Sequence, residues 1–434
     1  MQGLRLTRRR LLTAGAGLLA VGAVGGVHLY RREPIRIGVI GVGRRGRSLV
    51  RMIWKAGLYY PLYGNVVAVC DVHRTHAEGA RDSFPFVDIY DDYRKVLERD
   101  DIQGVFIATP DHWHVPISLA AIEAGKAVYC EKPLTLTIEE GQALVAAVRR
   151  KNAVFQVGTQ QRNCPLFQSA CELVRNGRLG KLQRITVELP VYPKGGPFPA
   201  EPVPPELNWD LWLGQAPAAD YSFERFDKYR AFYEYAGGSM TDWGAHHIDI
   251  AQWAMGDQDV APLSVTPHAE MPHIENGYSV PSEFKVDFVY PNGVQMHVHT
   301  DRHACGILFE GDQGRIYVNR RRLTGKPVED LEKNPLPPDA IRLRNPIAYW
   351  GRYGEIHIRD FLNCIKTGAQ PMSDVASQHR SMTACHLGNI AMRLGRTVHW
   401  DGQRERFVDD DEANAMLSRP QRSQYAWKSE RKHV

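Results

Sequence analysis

The chain has 434 residues, of which 43% are hydrophobic and 24% charged, so it is an ordinary folded protein rather than a collagen-like or wholly disordered one. Its length predicts two domains. The net charge of +5 lies entirely within residues 1–33, which leaves the rest formally neutral and excludes a uniform basic coat for nucleic acid. The seven cysteines form no C-x-x-C pair, which argues against a zinc site or a disulfide framework.

Residues 1–33 have the pattern of a twin-arginine export signal. Arg8 and Arg9 lie in TRRRLL, and an uncharged run of 17 residues with five glycines follows from Leu11 to Val27. Such a run makes a poor transmembrane helix but a reasonable signal-peptide core. We therefore expect an exported bacterial protein, either periplasmic or tethered to the inner membrane through an uncleaved signal. The alternative is a short basic, apolar tail.

Residues 35–46 predict a dinucleotide site. The strand IRIGVI leads directly into the G-x-G-x-x-G sequence of Gly41, Gly43 and Gly46, ahead of a predicted helix whose free N–H groups would bind phosphates. A second strand ends at Asp71, where a carboxylate would bind ribose hydroxyls and repel a 2′-phosphate. This favours NAD over NADP, although Arg74 lies close by. The alternative role for Asp71 is a helix N-cap.

Strands and helices alternate across residues 34–160. This pattern predicts an α/β domain with a doubly wound parallel (Rossmann) sheet, whose ligands bind at the carboxyl ends of the strands. Two loops, ATPDHWH and CEKP, fall at such ends. The residues that we expect to bind the cofactor are therefore Gly41, Gly43, Arg44, Arg45, Gly46, Asp71, Thr109, Pro110, His112, His114, Glu131 and Lys132.

Residues 161–434 predict a second domain of α+β type. The stretch 190–206 contains seven prolines, which indicates an extended excursion that lines the mouth of the site or contacts a second subunit. Residues 284–300 and 305–321 each read as a β-hairpin, and both suit an open, mostly antiparallel sheet.

The sequence GGSMTDWGAHHIDIAQWAMG, at 237–256, allows three interpretations. If 239–255 is helical, Asp242, His246 and Asp249 share one side, which suits a histidine acid/base with a supporting carboxylate. A metal site is less favoured because adjacent helical histidines point about 100° apart, and we expect no metal. The third interpretation is a buried helix with satisfied polar groups, which suits His247 and Asp249.

Seven segments resemble the glucose–fructose oxidoreductase / inositol dehydrogenase / MocA (Gfo/Idh/MocA) family. They are GVIGVGRRG, CDVHRTHA, FIATPDHWH, YCEKPLTLT, VGTQQR, WDLWLGQAP and GGSMTDWGAHHIDIAQWAMG, in the family's order over roughly 35–260. The resemblance implies that Lys132 lies beside the nicotinamide and the reacting hydroxyl, and that His246 is the acid/base, supported by Asp242. It also implies hydride transfer on sugars, sugar acids or cyclitols, and a homo-oligomer formed through the second sheet.

Aromatic faces and hydrogen-bonding groups suit carbohydrate rings, so we expect Arg162, Tyr235, Trp243 and His246 to bind substrate. An exported dehydrogenase lacks a dependable NAD pool, which predicts a tightly bound cofactor that is recycled internally. One alternative is an NAD-dependent glycoside hydrolase acting through a transient 3-keto intermediate, as some relatives of the family do. Another is a nucleotide-binding protein without catalysis.

Overall fold

The computed structural model describes residues 34–59, 64–84, 86–256, 261–343 and 352–427. The predicted export signal at residues 1–33 lies outside this part of the chain. No helix among the described residues is both long enough and apolar enough to cross a membrane.

The first sheet has six parallel strands in the order β3-β2-β1-β4-β5-β6. Its strands are Ile35–Ile40 (β1), Gly64–Cys70 (β2), Asp88–Tyr90 (β3), Gly104–Ile107 (β4), Ala127–Cys130 (β5) and Phe155–Val157 (β6). Its helices are Arg44–Tyr59 (α1), Arg74–Ser83 (α2), Tyr93–Leu97 (α3), His114–Glu123 (α4) and Ile138–Lys151 (α5). The predicted doubly wound sheet is confirmed, with the short edge strand β3 added.

Local sequence chemistry explains where these elements begin. Strand β1 is apolar and almost wholly buried, as a central parallel strand requires. Helix α5 begins with a capping box, in which the Thr137 side chain accepts from the Glu140 N–H and the Glu140 carboxylate accepts from the Thr137 N–H. The capping residues therefore fix the entry of α5 behind the CEKP loop.

The second sheet has nine strands in the order β13-β12-β11-β7-β10-β9-β8-β14-β15. Strands β7 and β10 pair in parallel, and every other neighbouring pair is antiparallel, so the predicted mostly antiparallel sheet is confirmed. The strands are Leu182–Pro190 (β7), Ser264–Ala269 (β8), Phe284–Val289 (β9), Gln295–Asp301 (β10), Gly306–Gly311 (β11), Arg315–Val318 (β12), Leu323–Thr324 (β13), Val398–Asp401 (β14) and Arg406–Phe407 (β15). Both predicted hairpins are present, as β9–β10 and β11–β12.

The helices of this part pack on both sheets. They are Pro165–Arg175 (α6), Trp209–Leu213 (α7), Phe223–Asp227 (α8), Gly238–Asp242 (α9), Gly244–Met255 (α10), Lys326–Glu329 (α11), Tyr353–Thr367 (α12), Val375–Leu394 (α13) and Asp411–Ala415 (α14). Single 3-10 turns lie at Asp111–Trp113, Gln160–Asn163, Tyr229–Ala231, Asp330–Glu332 and Ser423–Tyr425. Helix α12 follows the second sheet in the chain but packs on the first, with Phe361 in edge contact with Phe106 at 5.3 Å between ring centroids.

Candidate active site

The glycine turn after β1 lets neighbouring backbone and a ligand come close to the chain. Gly41 has φ of +83°, a left-handed conformation, and a Cβ there would lie 2.6 Å from the Thr109 nitrogen. A Cβ at Gly46 would lie 1.9 Å from the Gly41 carbonyl oxygen, so that glycine lets helix and strand pack together. A Cβ at Gly43 would meet no protein atom closer than 3.9 Å, which leaves its space for a ligand. The three glycines have the roles that a dinucleotide turn requires.

Asp71, at the end of β2, holds the turn from the other side. Its carboxylate accepts hydrogen bonds from the Val42 N–H at 2.8 Å and the His73 N–H at 2.9 Å. Arg74 instead pairs with Glu78 at 2.8 Å on the surface. Asp71, unlike Arg74, borders the cavity next to the glycine turn. The arrangement therefore favours a ribose with free hydroxyls over a 2′-phosphate.

A cavity of about 630 Å³ lies above the glycine turn. A smaller one of about 220 Å³ adjoins it, and Arg45, Ala108, Thr109 and Arg230 border both. Among the predicted cofactor ligands, those that border the larger cavity are Gly41, Gly43, Arg44, Arg45, Asp71, Thr109 and Pro110. Glu131 and Lys132 border the smaller.

The second domain covers the larger cavity through helix α8 and the turn after it. The carboxylate of Asp227 lies 3.3 Å from the Arg44 guanidinium across the two domains. Phe226 packs near His73, with ring centroids 5.8 Å apart, and borders the cavity. The cavity therefore lies between the glycine turn and a segment of the second domain.

Lys132, in the CEKP loop, is held by a carboxylate from the second domain. Its Nζ donates to the Asp242 Oδ1 at 2.5 Å and to the Asp242 carbonyl at 2.9 Å. The Tyr192 hydroxyl donates to the other carboxylate oxygen at 2.7 Å, and Arg230 lies at 3.3 Å. Burial raises the pKa of Asp242, but the charges of Lys132 and Arg230 outweigh burial and lower it to about 2. Asp242 is therefore an anion that orients the ammonium.

His246 borders the same small cavity as Lys132. Burial, followed by the nearby charges of Lys132 and Arg320, lowers its pKa well below the usual 6.5. Its Nδ1 has no hydrogen-bond partner among the described residues. The imidazole is thus neutral near physiological pH, the form in which a histidine can act as a base.

The predicted support of His246 by Asp242 is wrong. The expected helix over 239–255 is two helices, α9 and α10, that meet at Trp243. Asp242 ends α9, and its carboxylate pairs with Lys132 and Tyr192 rather than with the imidazole. Lys132 and His246 therefore border one cavity, but the Asp242 carboxylate binds the lysine.

Three other predicted site residues are structural. Arg162 is buried in a two-point ion pair with Asp249, at 2.9 and 2.5 Å, and borders neither described cavity. Tyr235 is fully buried against Trp212, 4.8 Å between ring centroids. His112 is also fully buried, with Nε2 2.9 Å from the Trp212 carbonyl oxygen. All three side chains are buried and border neither described cavity, so they are not placed to contact a ligand there.

Two further predicted site residues border neither described cavity but contact residues that do. His114 is buried, with Nδ1 2.6 Å from the Pro133 carbonyl oxygen and Nε2 3.1 Å from that of Thr109, so it ties the two strand-end loops together. Trp243 is half-buried, and the Arg320 guanidinium lies 4.7 Å from its ring centre. Arg320 borders the small cavity, so Trp243 supports the wall from behind.

Comparison with known families decides the identity of this fold. The family model described as an oxidoreductase family, NAD-binding Rossmann fold, matches residues 35–159. The model described as an oxidoreductase family, C-terminal alpha/beta domain, matches residues 195–427, more than half of the chain. The chain belongs to the Gfo/Idh/MocA oxidoreductase family. Its NAD-binding Rossmann domain and its membership of an oxidoreductase family are thus confirmed.

This Gfo/Idh/MocA protein is similar in sequence to several enzymes. It is 30% identical to a levoglucosan dehydrogenase of Pseudarthrobacter phenanthrenivorans over 67% of this chain and 75% of that protein. It is 28% identical to the uncharacterized oxidoreductase YrbE of Bacillus subtilis over 54% of this chain and 64% of YrbE. An alpha-N-acetylgalactosaminidase of Shewanella oneidensis is 31% identical over 35% of this chain, a match that spans only 34% of that enzyme.

A solved structure shares the fold. A levoglucosan dehydrogenase in complex with NADH and levoglucosan superposes with a TM-score of 0.63 at 22% identity, over 84% of this chain and 99% of that one. The glycine cradle of the present chain, with its open space at Gly43, fits the same class of cofactor. Among the described residues, no group of three or more His, Cys, Asp or Glu side chains could hold a metal ion.

Three residues of the site in this Gfo/Idh/MocA protein escaped the sequence analysis. Tyr192 lies in the proline-rich stretch, for which the sequence leaves open the mouth of the site or a contact with a second subunit, and it borders the larger cavity. Arg230 lies 11 positions before the first residue of the TDWGAHH motif, and Arg320 follows β12. No local pattern distinguishes these two from the other arginines, because their position depends on how distant segments pack.

Proposed function

We propose that this protein is an NAD-dependent oxidoreductase that moves a hydride between its cofactor and a hydroxyl-bearing carbon of a sugar, sugar acid or cyclitol. One observation carries the proposal. Lys132 from the first domain and His246 from the second border one cavity, which adjoins the dinucleotide cavity at Thr109 and Arg230. The similarity to a levoglucosan dehydrogenase supports the carbohydrate substrate.

The residues divide the chemistry between them. Bound NAD supplies the acceptor for the hydride. The Lys132 ammonium, held by the Asp242 anion, binds the reacting oxygen and stabilises the negative charge that grows on it. The neutral His246 takes the hydroxyl proton, and Trp243 supports the cavity wall through its contact with Arg320.

We also propose that NAD stays bound between catalytic cycles. The Asp227–Arg44 contact and Phe226 line the dinucleotide cavity from the side of the second domain, where they would hold a bound cofactor. The twin-arginine route carries folded proteins, so a cofactor loaded before export would travel with the enzyme. The hydride would then return to a second sugar within each cycle.

A second candidate is a redox-neutral glycoside hydrolase. Oxidation at C3 acidifies the C2 proton, the C1 substituent leaves, water adds and the ketone is reduced again. The partial similarity to an alpha-N-acetylgalactosaminidase favours this candidate. A nucleotide-binding protein without catalysis is disfavoured, because it would have no use for the Lys132–Asp242 pair.

Mass spectrometry of the purified full chain tests cofactor retention, and a substrate screen without added cofactor tests the reaction. Release of nitrophenol from p-nitrophenyl glycosides supports hydrolysis, whereas a requirement for a free sugar acceptor supports the oxidoreductase. Lys132→Met should lower turnover by about 10²- to 10⁴-fold and leave retained NAD unchanged. The control Lys95→Met removes a surface lysine. Undiminished turnover in Lys132→Met would refute the role given to Lys132, and absence of turnover in the wild type across the screen would point to the non-catalytic alternative.

We further propose export to the periplasm or the outer face of the inner membrane. The TRRRLL sequence supports twin-arginine export. Fractionation of cells that express the wild type and the Arg8→Lys/Arg9→Lys variant tests this, since the variant should stay in the cytoplasm. Equal distribution of the two proteins would contradict it.

We propose, finally, that residues 34–160 and 161–434 act as cofactor and substrate domains, and that the second sheet forms a homo-oligomer. Leu263 and Val289 are exposed by 49% and 39%, and the Leu263 N–H donates to the Val289 carbonyl at 2.7 Å. This adjacent apolar pair suits burial by a second copy. Light scattering should show that Leu263→Lys/Val289→Lys reduces the molecular mass. A monomeric wild type would refute the oligomer.

A further inference from the structure

The small cavity carries more positive charge than the protein neutralises. Its walls include Arg45, Lys132, Arg230 and Arg320. Two carboxylates contact three of these four cations. Glu131 lies 2.6 Å from Arg45, and Asp242 lies 2.5 Å from Lys132 and 3.3 Å from Arg230.

Asp111 is a further acid near this cluster. It is buried, and neither of its carboxylate oxygens has a partner among the described residues. Burial is the main cause that raises its pKa to about 7, so it is only partly ionised at neutral pH. Asp111 therefore offsets only part of the excess, and it does not pair with Arg320.

Arg320 is the cation without a carboxylate partner in the described part of the chain. Its Nε donates to the side-chain oxygen of Gln161 at 2.9 Å, its guanidinium lies over Trp243, and its Nη2 has no described hydrogen-bond partner. Asn319 fixes the loop by accepting from the N–H groups of Arg321 and Arg322 at 2.9 and 3.0 Å. The loop thus presents one arginine to the cavity and leaves the next two exposed.

Arg320 borders only the smaller cavity, whereas the glycine turn borders the larger. It is therefore placed for the substrate rather than for the cofactor phosphates. A neutral sugar would leave its charge uncompensated in a partly enclosed site, while an oxyanion would pair with it directly.

We propose that Arg320 is a specificity residue that binds an anionic oxyacid group, a carboxylate or a sulfate, on the substrate. This inference rests on the proposed function, since it places the substrate in the cavity of Lys132 and His246. It narrows the substrate class from carbohydrates in general to acidic ones. The planar guanidinium of Arg320 can bind either oxyacid group, and the test below distinguishes a carboxylate from a sulfate.

Calorimetry on the NAD-loaded full chain provides the test. The probes are glucuronate with glucose, galacturonate with galactose, and glucose 6-sulfate with glucose. We expect at least one anionic probe to bind about 10- to 100-fold more tightly than its neutral partner, as a charge-assisted contact would give. The preference should weaken as salt is added. A carboxylate-only or a sulfate-only preference identifies the oxyacid group.

Arg320→Gln should reduce the ratio of anionic-probe affinity to neutral-probe affinity to about one. Arg320→Lys should keep part of this preference, and the exposed neighbour Arg321→Gln should keep all of it. Equal binding of neutral and anionic probes, or a preference that survives Arg320→Gln, would overturn the inference. Turnover of neutral sugars with no preference for anionic probes would support the proposed function and refute the anion-binding role of Arg320. Arg320-dependent anion binding without any turnover would support the inference and refute the proposed function.

Discussion

Lys132 and Asp242 are 110 positions apart in the chain, yet the lysine Nζ lies 2.5 Å from the aspartate Oδ1. The contact joins the CEKP loop of the first domain to the end of helix α9 in the second. It places a fixed ammonium at the wall of the small cavity. Both domains are therefore needed to build the reacting end of the site.

The Asp242 carboxylate should stabilise the fold in a pH-dependent way. Its folded-state pKa of about 2 is below the ordinary 3.8, so its contribution is complete above about pH 4 and is lost as the pH falls toward 2. Between pH 5 and pH 2 we expect the wild type to lose about 2 kcal/mol more unfolding free energy than Asp242→Asn. Urea unfolding of both proteins, with the exposed Asp82→Asn as control, measures the difference. Parallel pH curves would contradict the ion pair.

With His246 as the proposed base, its lowered pKa should set the acid limb of activity. The imidazole stays neutral as the pH falls through 6.5, so kcat/KM for alcohol oxidation should hold level near neutrality and decline only at clearly more acid pH. His246→Gln should lose about 10²- to 10⁴-fold in turnover and abolish this limb, while the exposed His303→Asn should change neither. An acid limb centred at or above pH 6.5 would argue against His246 as the base.

Gly43 offers a way to separate cofactor binding from folding. A Cβ there meets only His76 atoms at 3.9 Å, so Gly43→Ala should keep its melting temperature within about 4 °C of the wild type. NAD affinity should fall at least about tenfold, because the methyl group occupies the space of the pyrophosphate. Fluorescence titration of apo-protein measures this, with Gly79→Ala in helix α2 as control, since a Cβ there meets only the end of the Arg47 side chain at 3.5 Å. Unchanged affinity would mean that the dinucleotide binds elsewhere.

Asp71 should decide between the two nicotinamide cofactors. Asp71→Asn keeps an oxygen for the Val42 N–H but removes the charge that repels a 2′-phosphate. We expect the NADP-to-NAD affinity ratio to rise about tenfold. Arg74→Gln should leave the ratio unchanged, because Arg74 pairs with Glu78 outside the cavity. A ratio that shifts only in Arg74→Gln would reverse the assignment.

The sequence by itself determined the features that short segments specify. The left-handed turn at Gly41, the capping box of Thr137 and Glu140, and the two hairpins follow from residues a few positions apart. The alternation of strands and helices likewise predicted the parallel sheet. Local sterics and hydrogen bonding fix such features before any distant contact forms.

Only the tertiary structure decided which polar side chains face a ligand. Arg162 and Asp249, 87 positions apart, neutralise each other inside the protein, whereas Arg320 lies at a cavity wall without a carboxylate partner among the described residues. In sequence these arginines look alike. The free energy of a charge depends on its burial and on the partners that distant segments bring to it, and those are properties of the packed chain rather than of any motif.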